Sequence, residues 1–126
     1  MAYSRHYNAT FEMVDVHLAA GRGGKPAFID ATETLTYAGL AERTNRVANL
    51  MRTYGIAREA RVALLLLDTV DYPPAFWGAI KAGVVPVALN TLLTAEQYAY
   101  ILDDSRAQAI IVSAPLVDVI DRKSVV

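Results

Sequence analysis

The 126-residue sequence contains no cysteine. That excludes disulfides, thiolate metal sites and a cysteine nucleophile, and it suits a reducing cytosol. Histidine is almost as scarce. His6 and His17 are the only imidazoles; they flank a helix start without ligand spacing and read as surface or packing side chains. No apolar run is long. Residues 62–67 and 84–89 are the longest, far below the ~20 residues that span a bilayer. No apolar signal core follows Arg5 and His6, so a cytoplasmic protein with no membrane partner is expected. Charge of one sign is missing too. The 12 basic and 13 acidic residues leave a net charge of −1, which gives no footprint for a nucleic-acid partner.

What is present is apolar. Hydrophobic residues make up 54% and charged residues 20% of a chain long enough for one domain,. This is little charge for a small independent domain, and it suits a piece of something larger, with faces meant to be covered. Asn8 or Thr10 is placed to cap a helix to about Ala20, with Phe11, Val14 and Leu18 on one face. GRGGKP at 21–26 ends it. AFID at 27–30 and TLTY at 34–37 predict a short hairpin. Thr36 then caps a helix over about 37–54, with Leu40, Val47, Met51 and Tyr54 as its apolar stripe and Gly55 as its stop. RVALLLL at 61–67 does not alternate, as a strand covered on both faces requires. Asp71 is expected to cap a short helix with Pro73 and Pro74 in its first turn, closed by Gly83. VVPVAL at 84–89 predicts a second buried strand, which Pro86 confines to an edge or a bulge. Thr94 and Gln97 make a capping box for a helix to about Asp104. AQAIIVS at 107–113 predicts a third buried strand, and Pro115 starts a last helix. The rhythm from 61 onward predicts an α/β fold. An incomplete doubly wound parallel sheet, with helices on both faces, follows the N-terminal helix and hairpin.

Candidate chemistry is sparse. The run 21–25 ends in Gly24-Lys25, but Ala19 stands where a P-loop needs its first glycine, Pro26 replaces Ser/Thr, and the run follows a helix rather than a strand. A helix-ending loop is favoured. Asp68, Thr69 and Asp71 fall at the carboxyl end of a parallel strand, where open α/β sheets bind ligands. A magnesium or polar-substrate contact competes there with plain turn formation and capping, and the latter is favoured. Lys81, in the last turn of its helix, reads as a helix-end lysine. Trp77, Tyr98 and Tyr100 could stack on a base, but at helical spacing they read as core or half-buried surface. No catalytic, cofactor-binding or metal-ligating residue is assigned.

LTYAGL at 35–40 resembles the first core motif of the adenylate-forming acyl- and aryl-CoA ligases, with Gly39 in place of the usual glutamate. IKAGVVPVALN at 80–90 resembles the second. The stretches LLDTVDYPPAFWGAIKAG, NTLLTAEQYAYILDDSRAQAIIVSA and YNAT with GRGGKPAFID are similar to the benzoate-CoA ligase branch. The resemblance covers about residues 7–120. It implies a parent enzyme in which an aromatic carboxylic acid attacks the α-phosphate of ATP, with magnesium, and CoA thiolate then displaces AMP. It implies no cofactor for this chain alone. The family's phosphate loop, ribose-binding aspartate, carboxylate pocket and catalytic lysine have no counterpart here. The matched positions Thr36, Tyr37, Lys81, Ala82, Gly83 and Pro86 are expected to be scaffold.

Residues 1–120 are therefore expected to be the incomplete N-terminal portion of a ligase's large domain, inactive without the remainder of its own chain. DRKSVV at 121–126 reads as one frame of a sequencing adapter and is expected to be a non-native tail. The alternative is a free-standing α/β ligand-binding or interaction module without catalysis, which the early hairpin and long helix do not suit.

Overall fold

The computed structural model describes residues 5–124. The tail expected at 121–126 lies outside those residues, apart from the backbone of its last helix. In chain order come a π-helical turn over Phe11–Asp15 that continues as α1 (Val16–Ala19), the hairpin β1 (Pro26–Ile29) and β2 (Thr34–Thr36), α2 (Tyr37–Thr53), β3 (Arg61–Leu65), α3 (Tyr72–Lys81), β4 (Val85–Ala88), α4 (Ala95–Ser105), β5 (Ala109–Val112), a 3₁₀ turn over Ala114–Leu116 and α5 (Val117–Ser124).

The non-alternating strand takes the centre. β3 pairs in parallel with β4 on one side and with β5 on the other, so the order is β4-β3-β5. Val62, Leu64 and Leu66 face one layer, made with Met51 of α2 and Ala75 and Ala79 of α3. Ala63 and Leu65 face the opposite layer, with Tyr98 of α4 and Ile120 of α5. Period-two alternation sends successive side chains to opposite faces, and both faces are apolar because both are covered. This is the expected doubly wound arrangement.

The expectation of three buried strands is corrected at two of them. β4 and β5 are the two edges and are only partly covered, with Val85 45% exposed. Only β3 has a strand on each side as well as a helix on each face. Pro86 sits in an edge strand, as its missing N–H requires.

α2 starts where its cap predicts. The Thr36 hydroxyl accepts a hydrogen bond from the Gly39 amide at 3.1 Å. Its buried stripe is Leu40, Ala41, Thr44, Ala48 and Met51; Tyr54 is 75% exposed. Tyr54 lies past the last helical turn, so the 3.6-residue period no longer aims it at the core. Gly55 follows at φ 67°, the left-handed stop,. Small residues let α2 and α3 cross closely: a Cβ on Gly78 would meet Val47 Cβ at 2.5 Å and the Thr44 carbonyl oxygen at 2.9 Å.

The first helix departs most from expectation. Asn8 does cap it: the helix begins at residue 9, and the Asn8 Oδ1 accepts from the Thr10 amide at 3.1 Å. Asn8 and Thr10 also tie the helix to α3, which their positions had not suggested. The Asn8 amide donates to the Ile80 carbonyl at 2.9 Å, and the Thr10 hydroxyl donates to the Trp77 carbonyl at 3.0 Å. Of the predicted trio only Val14 is buried; Phe11 and Leu18 stay 55% and 41% exposed. The i→i+5 winding of the π turn breaks the register that would have placed all three on one face. Val14 joins Leu35, Leu40, Ala41 and Val70 in a third apolar cluster, beneath the hairpin.

Candidate functional site

The carboxyl end of β3 is the natural place to look for chemistry, because doubly wound sheets bind ligands there. The sequence spends that edge on structure. The Thr69 amide donates to the Leu67 carbonyl at 2.8 Å, and the Thr69 hydroxyl accepts from the Asp71 amide at 3.3 Å. Asp71 does not cap α3, as its sequence position had suggested; its backbone is already helical and its carboxylate pairs with Arg43 at 3.2 Å. Arg43 also pairs with Glu33, and that hydrogen bond holds the guanidinium above its ordinary range. Asp68, Thr69 and Asp71 thus lie together on one turn, where Asp71 ties α2 to the sheet edge and Asp68 stays exposed.

Asp30 completes that tie and was not singled out from the sequence. Its Oδ1 accepts from the Thr32 amide at 2.8 Å, the Thr32 hydroxyl at 3.0 Å and the Glu33 amide at 2.8 Å. Its Oδ2 accepts from the Val70 amide at 2.9 Å. The Val70 bond first, then the Thr32 and Glu33 amides, lowers its pKa from 3.8 to about 2, because each stabilises the ionised form. The D-x-T-E turn spacing was the available signal; the partner 40 residues away left none. A groove of about 280 Å³ runs between Phe28–Asp30 and Asp68–Val70; of the two carboxylates that line it, Asp30 is already spent on backbone donors and Asp68 is exposed.

The switch point of a doubly wound sheet lies where successive crossovers diverge, here between β3 and β5. It is stitched shut. The Ser113 amide donates to the Leu65 carbonyl and the Ser113 hydroxyl accepts from the Leu67 amide, both at 3.0 Å.

Helix N-termini could receive a phosphate through unused amides. Those of α2 are in use. The Lys25 carbonyl accepts from the Tyr37 amide at 3.0 Å, the Gly23 carbonyl from the Ala38 amide at 2.9 Å, and the Thr36 hydroxyl from Gly39. The glycine run at 21–25 is therefore a capping loop for α2, which explains its composition without a phosphate. α3 opens on Tyr72 followed by two prolines that carry no N–H. α4 is closed by the predicted Thr94/Gln97 capping box.

The remaining candidates are packing groups. Lys81 Nζ pairs with Asp15 Oδ2 at 2.9 Å and lies 5.6 Å from the centre of the Phe11 ring. It latches the first helix, which goes beyond a dipole-complementing lysine. Tyr98 is buried; its hydroxyl donates to the Asn90 carbonyl at 2.6 Å and accepts from the Leu93 amide at 3.1 Å. Tyr100 is exposed and Trp77 packs edge-on against Phe76, so the three aromatics do not converge. His17 stacks on Tyr37 and accepts from Arg22. His6 lies beside Arg5, Arg58 and Glu59. Among the described residues no three acidic, histidine or cysteine side chains could hold a metal, and no helix is long and apolar enough to cross a membrane. With the opening amides of α2 and the carboxylates of Asp30 and Asp71 committed in this way, the described residues form neither a free cradle of backbone amides for phosphate nor a group of three metal-ligating side chains.

The arrangement defines a class: an α/β layer whose parallel sheet is covered by helices on both faces. The AMP-binding enzyme family matches residues 16–126, and the chain belongs to that family. It is 50% identical over 117 residues to a 4-hydroxybenzoate–CoA/benzoate–CoA ligase of Rhodopseudomonas palustris, an alignment covering 93% of this chain and 22% of that protein. It is 47% identical over 111 residues to a benzoate–CoA ligase of Thauera aromatica, covering 87% and 21%. The solved benzoate CoA ligase of Burkholderia xenovorans superposes with a TM-score of 0.88 at 44% identity, over 93% of this chain and 24% of that one. The chain spans about a fifth of the length of the curated relatives it matches.

Proposed function

We propose that residues 1–120 are the N-terminal portion of the large domain of a benzoate-type CoA ligase, and that 121–126 are a non-native tail. The whole enzyme activates an aromatic carboxylate: the acid attacks the α-phosphate of ATP, pyrophosphate leaves, and CoA thiolate displaces AMP to give the aryl-CoA. Magnesium belongs to the first step, in sequence this chain does not carry. The setting is cytoplasmic. The observation that carries this reading is the 50% identity over 117 residues to a 4-hydroxybenzoate–CoA/benzoate–CoA ligase. The contribution of this segment is to hold the wall against which the rest of the enzyme packs.

Two measurements test the proposal. Genomic DNA downstream of codon 120 should continue in frame into a Ser/Thr/Gly-rich loop followed by lysine; a native stop codon at this point overturns it. The purified 126-residue chain, given benzoate, ATP, magnesium and CoA, should release no pyrophosphate above a no-enzyme control, whereas the full-length product should. Turnover by the short chain sinks the supporting role.

A further inference from the structure

The two ends of the sheet carry charge differently. At the carboxyl end the cation is committed, because Arg43 pairs with both Glu33 and Asp71. The amino end collects arginines and leaves them without such partners. Arg52 lies in the last turn of α2, Arg58 in the loop before β3, Arg61 at the start of β3 and Arg106 just past α4. Among the described residues no ion pair holds any of these side chains, nor that of Arg5.

Helix dipoles account for part of this. Arg52 and Arg106 sit where a cation complements the partial negative charge of a helix C-terminus. Arg5 and Arg58 belong to no helix, yet both line one hollow of about 650 Å³, together with His6 and Glu59. Two guanidinium groups face a single carboxylate there, and the balance is positive.

The wall of the hollow is fixed by backbone. Glu59 holds a left-handed conformation at φ 66°, which a non-glycine residue keeps only when its surroundings impose it. Its amide donates to the Gly83 carbonyl at 2.7 Å, and the Val85 amide donates to the Ala60 carbonyl at 2.8 Å. The stem of Arg58 lies against Gly83, where a Cβ would meet its Cγ at 3.2 Å. The loop is thus pinned to the turn between α3 and β4, and only the charged end of Arg58 is left uncommitted. The Arg5 side is anchored nearby, since Asn8 donates to the Ile80 carbonyl at the end of α3.

We infer that this hollow at the amino end of the sheet is an anion site for a ligand carrying a phosphate group. Guanidinium binds phosphate through paired N–H donors, and two such groups on one hollow match a doubly charged anion. The volume is that of a small-molecule pocket, so the phosphate can be free or carried on an organic body.

Phenylglyoxal labelling of the full-length ligase, read arginine by arginine by mass spectrometry, tests the site without relying on turnover. Pyrophosphate should slow labelling of Arg5 and Arg58 along one shared curve, reaching about tenfold at ten times its midpoint, with Arg52, Arg61 and Arg106 changed by less than about twofold. AMP is the probe for a phosphate on an organic body. Protection of the pair by either compound supports the site and tells which source it takes; protection by neither overturns it. Chloride at equal ionic strength should protect nothing. Equal slowing of all five arginines would be screening of exposed charge, and the inference fails. Arg58→Ala, at an exposed position, should leave Arg5 labelled at one rate with and without pyrophosphate. Arg5 still protected in that variant would mean that the two groups share no ligand, which also overturns the inference.

Discussion

Val62, Leu64 and Ala79 are wholly inaccessible to solvent, and their side chains are held by apolar packing alone. The N-terminal cap, made of the first helix and the hairpin, is attached differently. Beside its small apolar cluster it is held by named polar atoms. Asn8 reaches Ile80, Thr10 reaches Trp77, Lys81 meets Asp15, and Asp30 meets Val70. Burial of apolar volume is tolerant of detail, because any well-shaped hydrophobe gains about 25 cal/mol per Å². A tether through one hydroxyl is not, because the bond goes with it. Both stretches that resemble the family motifs lie at the seam between these regions. Thr36 and the amides of Tyr37 and Ala38 receive the cap's glycine loop; Ile80 and Lys81 receive its first helix. Those residues therefore serve assembly.

The largest effects should come from the sheet layer. Leu64→Ala removes a fully buried side chain between α3 and the centre of the sheet and should cost about 2–5 kcal/mol. Native-state hydrogen exchange of the full-length ligase would register this as a lower opening free energy across β3, β4 and β5 together. Gly78→Ala should cost about 1–3 kcal/mol by forcing α2 off α3, since the new methyl would sit 2.9 Å from a backbone carbonyl that has no rotamer to escape into. A neutral Gly78→Ala would show that the helix crossing is looser than its geometry.

The cap should fail alone. Thr10 is wholly buried and its hydroxyl is the donor to Trp77. Thr10→Val keeps the shape, removes this second bond to a carbonyl already inside α3 and should cost about 0.5–1.5 kcal/mol. The loss should appear as faster exchange in residues 8–20 with β3 unchanged. Equal loss in β3 would mean that cap and sheet unfold as one unit, and the contrast between them would vanish.

Signals confined to a few neighbouring residues were legible in the sequence. The Thr36 cap, the Thr94/Gln97 box, the glycine stops and the unbroken apolar run of β3 each depend on residues within one turn or one strand. Pro86 announced the β4 edge, but that β5 would be the other edge was not legible, since RVALLLL and AQAIIVS differ little as strings while their neighbours differ completely. The π turn was missed because Phe11, Val14 and Leu18 fit a 3.6-residue period that the backbone does not follow. Lys81 shows the same limit: its position at a helix end is local, but its partner Asp15 lies 66 residues away. No site motif is present in the sequence, and the structure adds that the opening amides of α2 and the carboxylates of Asp30 and Asp71 are already paired.

The smallest effect, and the most specific to the cap, concerns acid. Asp30 is ionised more readily in the folded chain than in the unfolded one, with its pKa lowered from 3.8 to about 2. The unfolded state therefore binds the proton first as pH falls, so the tether contributes fully above about 3.8 and is lost progressively towards 2,. Exchange in the hairpin should quicken over that window while β3 holds. Asp30→Asn should remove the hairpin's share of the acid response. Its single carbonyl oxygen can still serve Thr32 and Glu33, but its NH₂ group cannot accept from Val70, so the hairpin should be looser at every pH and flat across the window. A mutant that keeps the wild-type acid profile would place the titrating group elsewhere, and the cap would then be held by its apolar cluster rather than by this carboxylate.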